Sequence, residues 1–286
     1  MSAPQTFRVS IVAVMLFQIA ALFAKSRLEL ELVDTGFSAS VAKHLSYLVV
    51  PPILLILMYP YIARCKSALR SLLQLKDLTA QRVLRAGLVG LTLRLLRWAF
   101  LTVLIWLGVT QDSEGGMFPM HLGFACPPLP VLLLSVLVMT VLVPFVEEVV
   151  NRGFIMHALL ARGRALAVIL SAALFAALHP PGSYALTFAA GLVFAVQALN
   201  FRTLWAPLSA HLAYNAAAIV DWECLKIVWN PSPGDPLLAR LALLSAAALI
   251  VGSWLVWRLT RERAAGGSVP VSSPAVPTTG RSPAAR

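Results

Sequence analysis

Apolar stretches follow one another along almost the whole chain, separated by short polar segments. A bilayer core is crossed by ~20 apolar residues in helical form, so the pattern predicts about eight membrane-spanning helices. The fourth span is expected to continue as a helix to about residue 160. We therefore expect an all-α, polytopic transmembrane helix bundle. The expected spans are 9–24, 45–63, 83–109, 130–150, 165–179, 184–200, 204–220 and 237–258.

Composition agrees with this pattern. Of the 286 residues, 59% are hydrophobic and 12% are charged, and the mean hydropathy is +0.82. A soluble domain carries roughly 25% charged residues, about twice this fraction. The apolar runs must face lipid or one another, so the lipid bilayer is the first expected partner.

The net charge of +11 has the distribution of a membrane protein. Lys and Arg lie in short segments between apolar runs, and they form no basic face with interleaved aromatic residues, so nucleic acid is not an expected partner. The loops after the second, fourth, sixth and eighth spans are basic, whereas loop 110–127 has no Lys or Arg. The positive-inside rule then predicts that both termini are cytoplasmic. The excess of Arg over Lys is typical of a GC-rich bacterium, which favours a bacterial inner membrane.

The chain divides into four parts without an internal repeat. Residues 1–127 form an N-terminal transmembrane region in which no motif is recognised. Residues 128–220 contain the clustered polar residues discussed below. Residues 221–263 comprise a loop and the last span, and the Gly-, Ser-, Pro- and Ala-rich tail 264–286 is expected to be disordered.

The cysteines Cys65, Cys126 and Cys224 show no CxxC spacing. They predict neither a disulfide framework nor a zinc site. Three histidines lie outside the expected site. We expect His44 and His121 to be solvated at membrane edges and His157 to have a structural or interfacial role.

Ionisable residues inside a membrane are informative, because burying one costs several kcal/mol or more. Glu147 and Glu148 are the acidic residues that fall within a spanning helix. Residues four apart share a helix face, so Glu148 can form an ion pair with Arg152. Glu147 shares its face with Asn151 and has no cation one turn away, which makes it a candidate general base. The alternative is that both glutamates only brace helix packing.

Two further spans bring polar side chains into the membrane. His179 ends the fifth span, one helical turn after Phe175, and His211 shares a face of the seventh span with Asn215. A single membrane histidine is usually a packing residue. Here three separate helices each carry a polar cluster, and such side chains can converge in the core of a bundle.

Three motifs, in order on three spans, carry a family resemblance. They are Glu147-Glu148-x-x-x-Arg152, Phe175-x-x-x-His179 and His211-x-x-x-Asn215. Together they resemble the motifs of the CAAX-protease and bacteriocin-processing family of intramembrane proteases, which includes the Rce1-like enzymes. The resemblance covers residues 128–220, which would be the protease core.

The resemblance implies a glutamate-dependent intramembrane endopeptidase. In such an enzyme Glu147 and His179 would hold the attacking water, while His211 and Asn215 would stabilise the oxyanion. No cofactor or metal is implied. The expected substrate is a membrane-anchored protein or peptide, such as a C-terminal tail or sorting anchor. Prenylated tails are disfavoured because bacteria generally lack CAAX prenylation.

Other classes of function remain open at this stage. Two histidines and a glutamate could bind zinc, although no HExxH motif is present. A rhomboid-like serine peptidase would need a buried serine, and Ser183 is expected in a short loop. A proton-coupled transporter could use the same Glu/His cluster, but no repeated halves are seen. A non-catalytic scaffold could also retain the motifs.

The helical rise gives the expected depth of the site. His179 is fifteen residues from Arg164, or ~22 Å along a helix. His211 is nine residues from Arg202, or ~13 Å. With both arginines at the cytoplasmic face, these depths predict a site at the midplane or in the outer leaflet.

Overall fold

The computed structural model of the chain describes residues 9–108, 123–124, 126–220, 224–226 and 236–261. Helices make up almost all of this part, so the predicted all-α class is confirmed. The helices are α1 (Ile11–Asp34), α2 (Ala39–Tyr47), α3 (Val50–Arg64), α4 (Lys66–Leu72), α5 (Ala80–Trp106), α6 (Leu129–Ser135), α7 (Val143–Glu148), α8 (His157–Leu159), α9 (Arg164–Ala177), α10 (Tyr184–Phe201), α11 (Trp205–Ile219) and α12 (Pro236–Thr260). Short 3₁₀ turns occupy Leu75–Asp77, Leu160–Arg162 and Pro181–Ser183.

Among the described residues, six helical segments are long and apolar enough to cross a membrane. They are Ile11–Asp34, Ala39–Arg64, Ala80–Trp106, Leu129–Arg162, Pro181–Phe201 and Pro236–Thr260. The other two predicted spans are the shorter helices α9, with 14 residues, and α11, with 15. At 1.5 Å per residue each extends only ~21–23 Å. The predicted bundle is confirmed, and two of its eight expected members are shorter than a full bilayer core.

Residues Leu129–Arg162 form one continuous helical segment of 34 residues, which we call the central rod. Its ~51 Å length exceeds a ~30 Å hydrocarbon core. Two stretches are wound as π-helix, Val136–Leu142 and Val149–Met156. Such turns concentrate at functional sites, and here they flank the helix that carries both glutamates. Gly163 follows the rod directly, and its φ of 113° would be strained for any residue with a Cβ.

Close helix packing positions the segments that carry the predicted motifs. Helices α9 and α10 form a hairpin beside the rod, while α11 packs against α5 and against the first π-helical stretch. A Cβ on Gly90 of α5 would lie only 2.0 Å from the carbonyl oxygen of Ala210 on α11. The missing side chain therefore allows the two backbones to approach, as small residues do in membrane helix pairs.

The cysteine prediction is wrong, since Cys126 and Cys224 form a disulfide across 98 positions of sequence. Beside it, Gly123–Phe124 (β1) pairs in antiparallel fashion with Leu225–Lys226 (β2). Spacing along the chain could not reveal this bond, because folding alone brings the start of the rod close to the segment after α11. Cys65 is a buried free thiol.

The expectation for His44 is also wrong. Its side chain is 1% exposed, because α2 packs against α1 and the start of the rod. Helix α1 continues to Asp34, well beyond the predicted end at residue 24, and thus covers α2. His121 and the predicted disordered tail 264–286 lie outside the described residues.

Candidate active site

The two glutamates of the rod point into different surroundings. Adjacent helical residues differ by ~100° in direction. The side chain of Glu148 is 1% exposed, whereas that of Glu147 is 26% exposed. Glu148 is therefore sealed in the bundle, and Glu147 is the glutamate that a substrate or water molecule can reach.

Arg152 is the buried counter-charge of Glu148. Its Nη1 lies 3.2 Å from Oε1 of Glu148, so the predicted ion pair is present. Its Nη2 donates to the carbonyl oxygen of Gly191 at 3.2 Å. The guanidinium also lies 4.4 Å from the ring centroid of Phe175 and 5.5 Å from that of Phe194. These contacts join the rod to α9 and α10 around one fully buried cation.

His211 extends from α11 to both glutamates. Its Nδ1 donates to Oε1 of Glu148 at 2.9 Å, while its Nε2 lies 3.6 Å from Oε2 of Glu147. The second distance is too long for a direct hydrogen bond. The imidazole stacks on Phe194 at 4.9 Å and meets the edge of Phe175 at 5.9 Å between centroids. In this arrangement the proton of the bond to Glu148 belongs to Nδ1, and Nε2 is the nitrogen that faces Glu147.

His179 lies two residues after the end of α9 and is held by that helix. Its Nδ1 donates to the carbonyl oxygen of Phe175 at 2.9 Å, and its ring meets the edge of Phe175 at 4.7 Å. In the neutral ring, this bond leaves the Nε2 lone pair as an acceptor. Phe175 thus contacts His179, His211 and Arg152, and so links the three predicted motifs.

A cavity of about 90 Å³ lies in front of Glu147 and His179. Its other polar lining residues are Gln18 of α1 and Tyr47 of α2, and apolar residues such as Leu22 complete its walls. The sequence analysis assigned neither Gln18 nor Tyr47 to the site. One signal was available, since Gln18 is the polar residue that interrupts the apolar run 11–24.

Asn215 and Asn151 anchor the site to the backbone of the rod. Nδ2 of Asn215 donates to the carbonyl oxygen of Met139 at 2.7 Å, so this amide fixes α11 against the first π-helical stretch. Nδ2 of Asn151 donates to the carbonyl oxygen of Glu147 at 2.9 Å. Asn215 shares a helix face with His211 but is not a lining residue of the cavity.

Over the described ranges, no group of three or more His, Cys, Asp or Glu side chains could hold a metal ion. The carboxylate of Glu148 is instead surrounded by the guanidinium of Arg152 and the imidazole of His211.

Comparison with known families gives a match over residues 129–217. The matching family model is described as type II CAAX prenyl endopeptidase, Rce1-like. The segment contains all three motifs identified in the sequence, so the family resemblance is confirmed. A comparison with curated proteins finds no match.

Proposed function

We propose that the protein is a glutamate-dependent intramembrane endopeptidase, because residues 129–217 match the Rce1-like family model and the chain forms a multi-pass membrane bundle. The observation that carries the proposal is that the two glutamates have different surroundings. Glu147 lines a cavity together with His179, while Glu148 is enclosed with Arg152 and His211.

In the proposed reaction, a water molecule is held between the carboxylate of Glu147 and Nε2 of His179. Glu147 accepts a proton from the water as its oxygen bonds to the carbonyl carbon of the substrate. His211 and Asn215 stabilise the negative charge on the carbonyl oxygen. The carbon–nitrogen bond then breaks, and Glu147 returns the proton to the leaving amine. No step needs a metal, because a carboxylate base and neutral or cationic donors supply all the charges involved.

In this proposal, Glu148 and Arg152 have a positioning role in the site. The ion pair is fully buried and holds the imidazole of His211 through Oε1 of Glu148. A base and its partners need fixed geometry, since small misplacements of reacting groups lower rates strongly.

The proposed substrate is a membrane-anchored protein or peptide, including C-terminal tails and sorting anchors. The mostly apolar walls of the cavity favour a segment taken from the bilayer. α9 is ~21 Å long, so His179 at its far end remains within a ~30 Å core when Arg164 lies at the interface. We therefore place the cleaved bond at the midplane or in the outer leaflet.

The disulfide supports the proposed orientation with both termini in the cytoplasm. Cys126 and Cys224 belong to loops that the charge pattern assigns to the outside. Disulfides persist on the oxidising side of a bacterial inner membrane and are rare in the cytosol. Cysteines introduced near Pro181 and near Arg162, in a background without native cysteines, can be probed on intact cells with a membrane-impermeant thiol reagent. Labelling near Arg162 from outside would reverse the orientation.

The proposal is tested with purified protein in liposomes containing a mixture of internally quenched peptides with apolar C-terminal anchors. Wild-type protein should cleave some of them, and Glu147→Gln should lower the rate by ~10²–10⁴-fold. Glu31→Gln makes the same chemical change at a side chain that is 66% exposed, and it should cleave normally. Wild-type rates for Glu147→Gln would exclude the assigned base. Proton flux without cleavage would favour a transporter, and neither activity would favour a scaffold.

A further inference from the structure

The cavity in front of Glu147 has a second wall that comes from outside the matched segment. Of the residues that line it, four are polar: Glu147 and His179 on one side, Gln18 and Tyr47 on the other. Gln18 lies on α1 and Tyr47 at the end of α2. The N-terminal helices therefore contribute to the same small space as the proposed base.

Hydrogen-bond donors are unevenly distributed around this cavity. The carboxylate of Glu147 accepts, and Nδ1 of His179 already donates to the carbonyl oxygen of Phe175. His211 and Asn215, the oxyanion donors of the proposed reaction, do not line the cavity. Nδ1 of His211 bonds to Glu148 and one N–H of Asn215 bonds to the carbonyl of Met139, which leaves Nε2 of His211 and the second N–H of Asn215 for that role. The amide of Gln18 and the phenol of Tyr47 are thus the donors that the N-terminal helices place at the cavity.

The amide of Gln18 is oriented by the rod. Its side chain is 5% exposed. Oε1 receives a long hydrogen bond from Nδ2 of Asn151 at 3.5 Å, and the same Nδ2 donates to the carbonyl oxygen of Glu147 at 2.9 Å. Through Asn151, the orientation of the Gln18 amide is thus coupled to the backbone of Glu147, the proposed base.

The donor end of Gln18 has a poor partner. Within the described part of the chain, Nε2 meets only Sδ of Met15, at 3.5 Å. A thioether is a weak acceptor, and an amide has two N–H groups. Burying such a group without a good acceptor is unfavourable. A peptide carbonyl in the cavity would supply the missing acceptor.

We propose that Gln18 is a further catalytic residue, whose Nε2 donates a hydrogen bond to the carbonyl oxygen of the peptide bond that is cut. This inference rests on the proposed protease function. It assigns to α1 a role in the reaction itself, because a donor aimed at the carbonyl oxygen is most useful when negative charge develops there.

The test uses the quenched peptide that wild-type protein cleaves fastest. Gln18→Met removes the donor and keeps the length of the side chain, so kcat should fall ~10²-fold or more with little change in KM. Gln18→Glu keeps an acceptor for Asn151 but has no N–H, so it should lose kcat as well. Gln81→Met makes the same chemical change at an exposed position of α5 that does not line the cavity, and it should keep wild-type kcat.

Each outcome decides between a direct and an indirect role. Wild-type kcat in Gln18→Met would overturn the proposal. Wild-type kcat in Gln18→Glu would overturn it too, because Gln18 would then act only by accepting from Asn151. A raised KM with unchanged kcat would identify a binding group without a catalytic role. The thermal melting curve of each variant reports folding, and the isosteric Gln18→Glu gives the answer if Gln18→Met does not fold. Glu147→Gln is measured in the same assay as the Gln18 variants. Its loss of activity tests the proposed protease function separately from the role of Gln18.

Discussion

Replacing Arg152 by alanine should destabilise the protein strongly. The guanidinium is fully buried, lies 3.2 Å from Glu148 and donates to the carbonyl oxygen of Gly191. Removing one partner of a buried ion pair leaves an uncompensated charge and costs ~3–5 kcal/mol. The lost hydrogen bond from a charged donor adds ~1.5–3 kcal/mol. Within the described part of the chain, His211 is then the remaining partner of Glu148, and it cannot replace a fully buried cation on the same helix.

Thermal unfolding in detergent measures this effect. One kcal/mol shifts the melting temperature by ~2 °C for a chain of this size, so Arg152→Ala should melt roughly 10–15 °C below wild type. Arg27→Ala is the matched control, because Arg27 is 63% exposed and its ion pair with Glu31 is on the surface. Such pairs are worth ~0–1 kcal/mol, so the control should melt within ~2 °C of wild type.

A double variant separates the loss of charge balance from the loss of packing. Glu148→Gln combined with Arg152→Met removes both charges and fills much of the space, so it should recover most of the stability lost in Arg152→Ala. If the double variant melts no higher than Arg152→Ala, an unpaired carboxylate is not the cause. If Arg152→Ala melts like wild type but is inactive, Arg152 takes part directly in catalysis and the structural role is wrong.

Three further predictions follow from the packing, the disulfide and the chemistry. Gly90→Ala places a Cβ 2.0 Å from the carbonyl oxygen of Ala210 and should cost ~1–3 kcal/mol in thermal unfolding, with displaced α11 and reduced cleavage, whereas Gly87→Ala, with 3.9 Å to its nearest neighbour, should be tolerated. Cys126→Ser should lower the free energy of unfolding by ~2–5 kcal/mol, because it removes a disulfide between residues 98 positions apart. Cys65→Ala leaves this disulfide intact and should melt closer to wild type. Cleavage should survive chelator treatment, and one stoichiometric zinc whose removal and return switch activity off and on would disprove this.

Membrane insertion and helical structure could be predicted from the sequence alone. Water is absent from the bilayer core, so long apolar runs must satisfy their backbone groups internally, and a helix does this within one segment. Because these segments are helical, contacts between residues one helical turn apart could also be predicted. The Glu148–Arg152 pair follows from the 3.6-residue repeat and is present in the structure.

Contacts between distant segments depended on the tertiary structure. The hydrogen bond from His211 to Glu148 spans 63 positions, that from Asn151 to Gln18 spans 133, and the disulfide spans 98. No local periodicity encodes which helices become neighbours, because that choice depends on side-chain packing such as the approach at Gly90. The residue types and their helix faces were therefore readable in the chain, whereas the cavity, its N-terminal wall and the buried state of His44 arise only when the helices pack together.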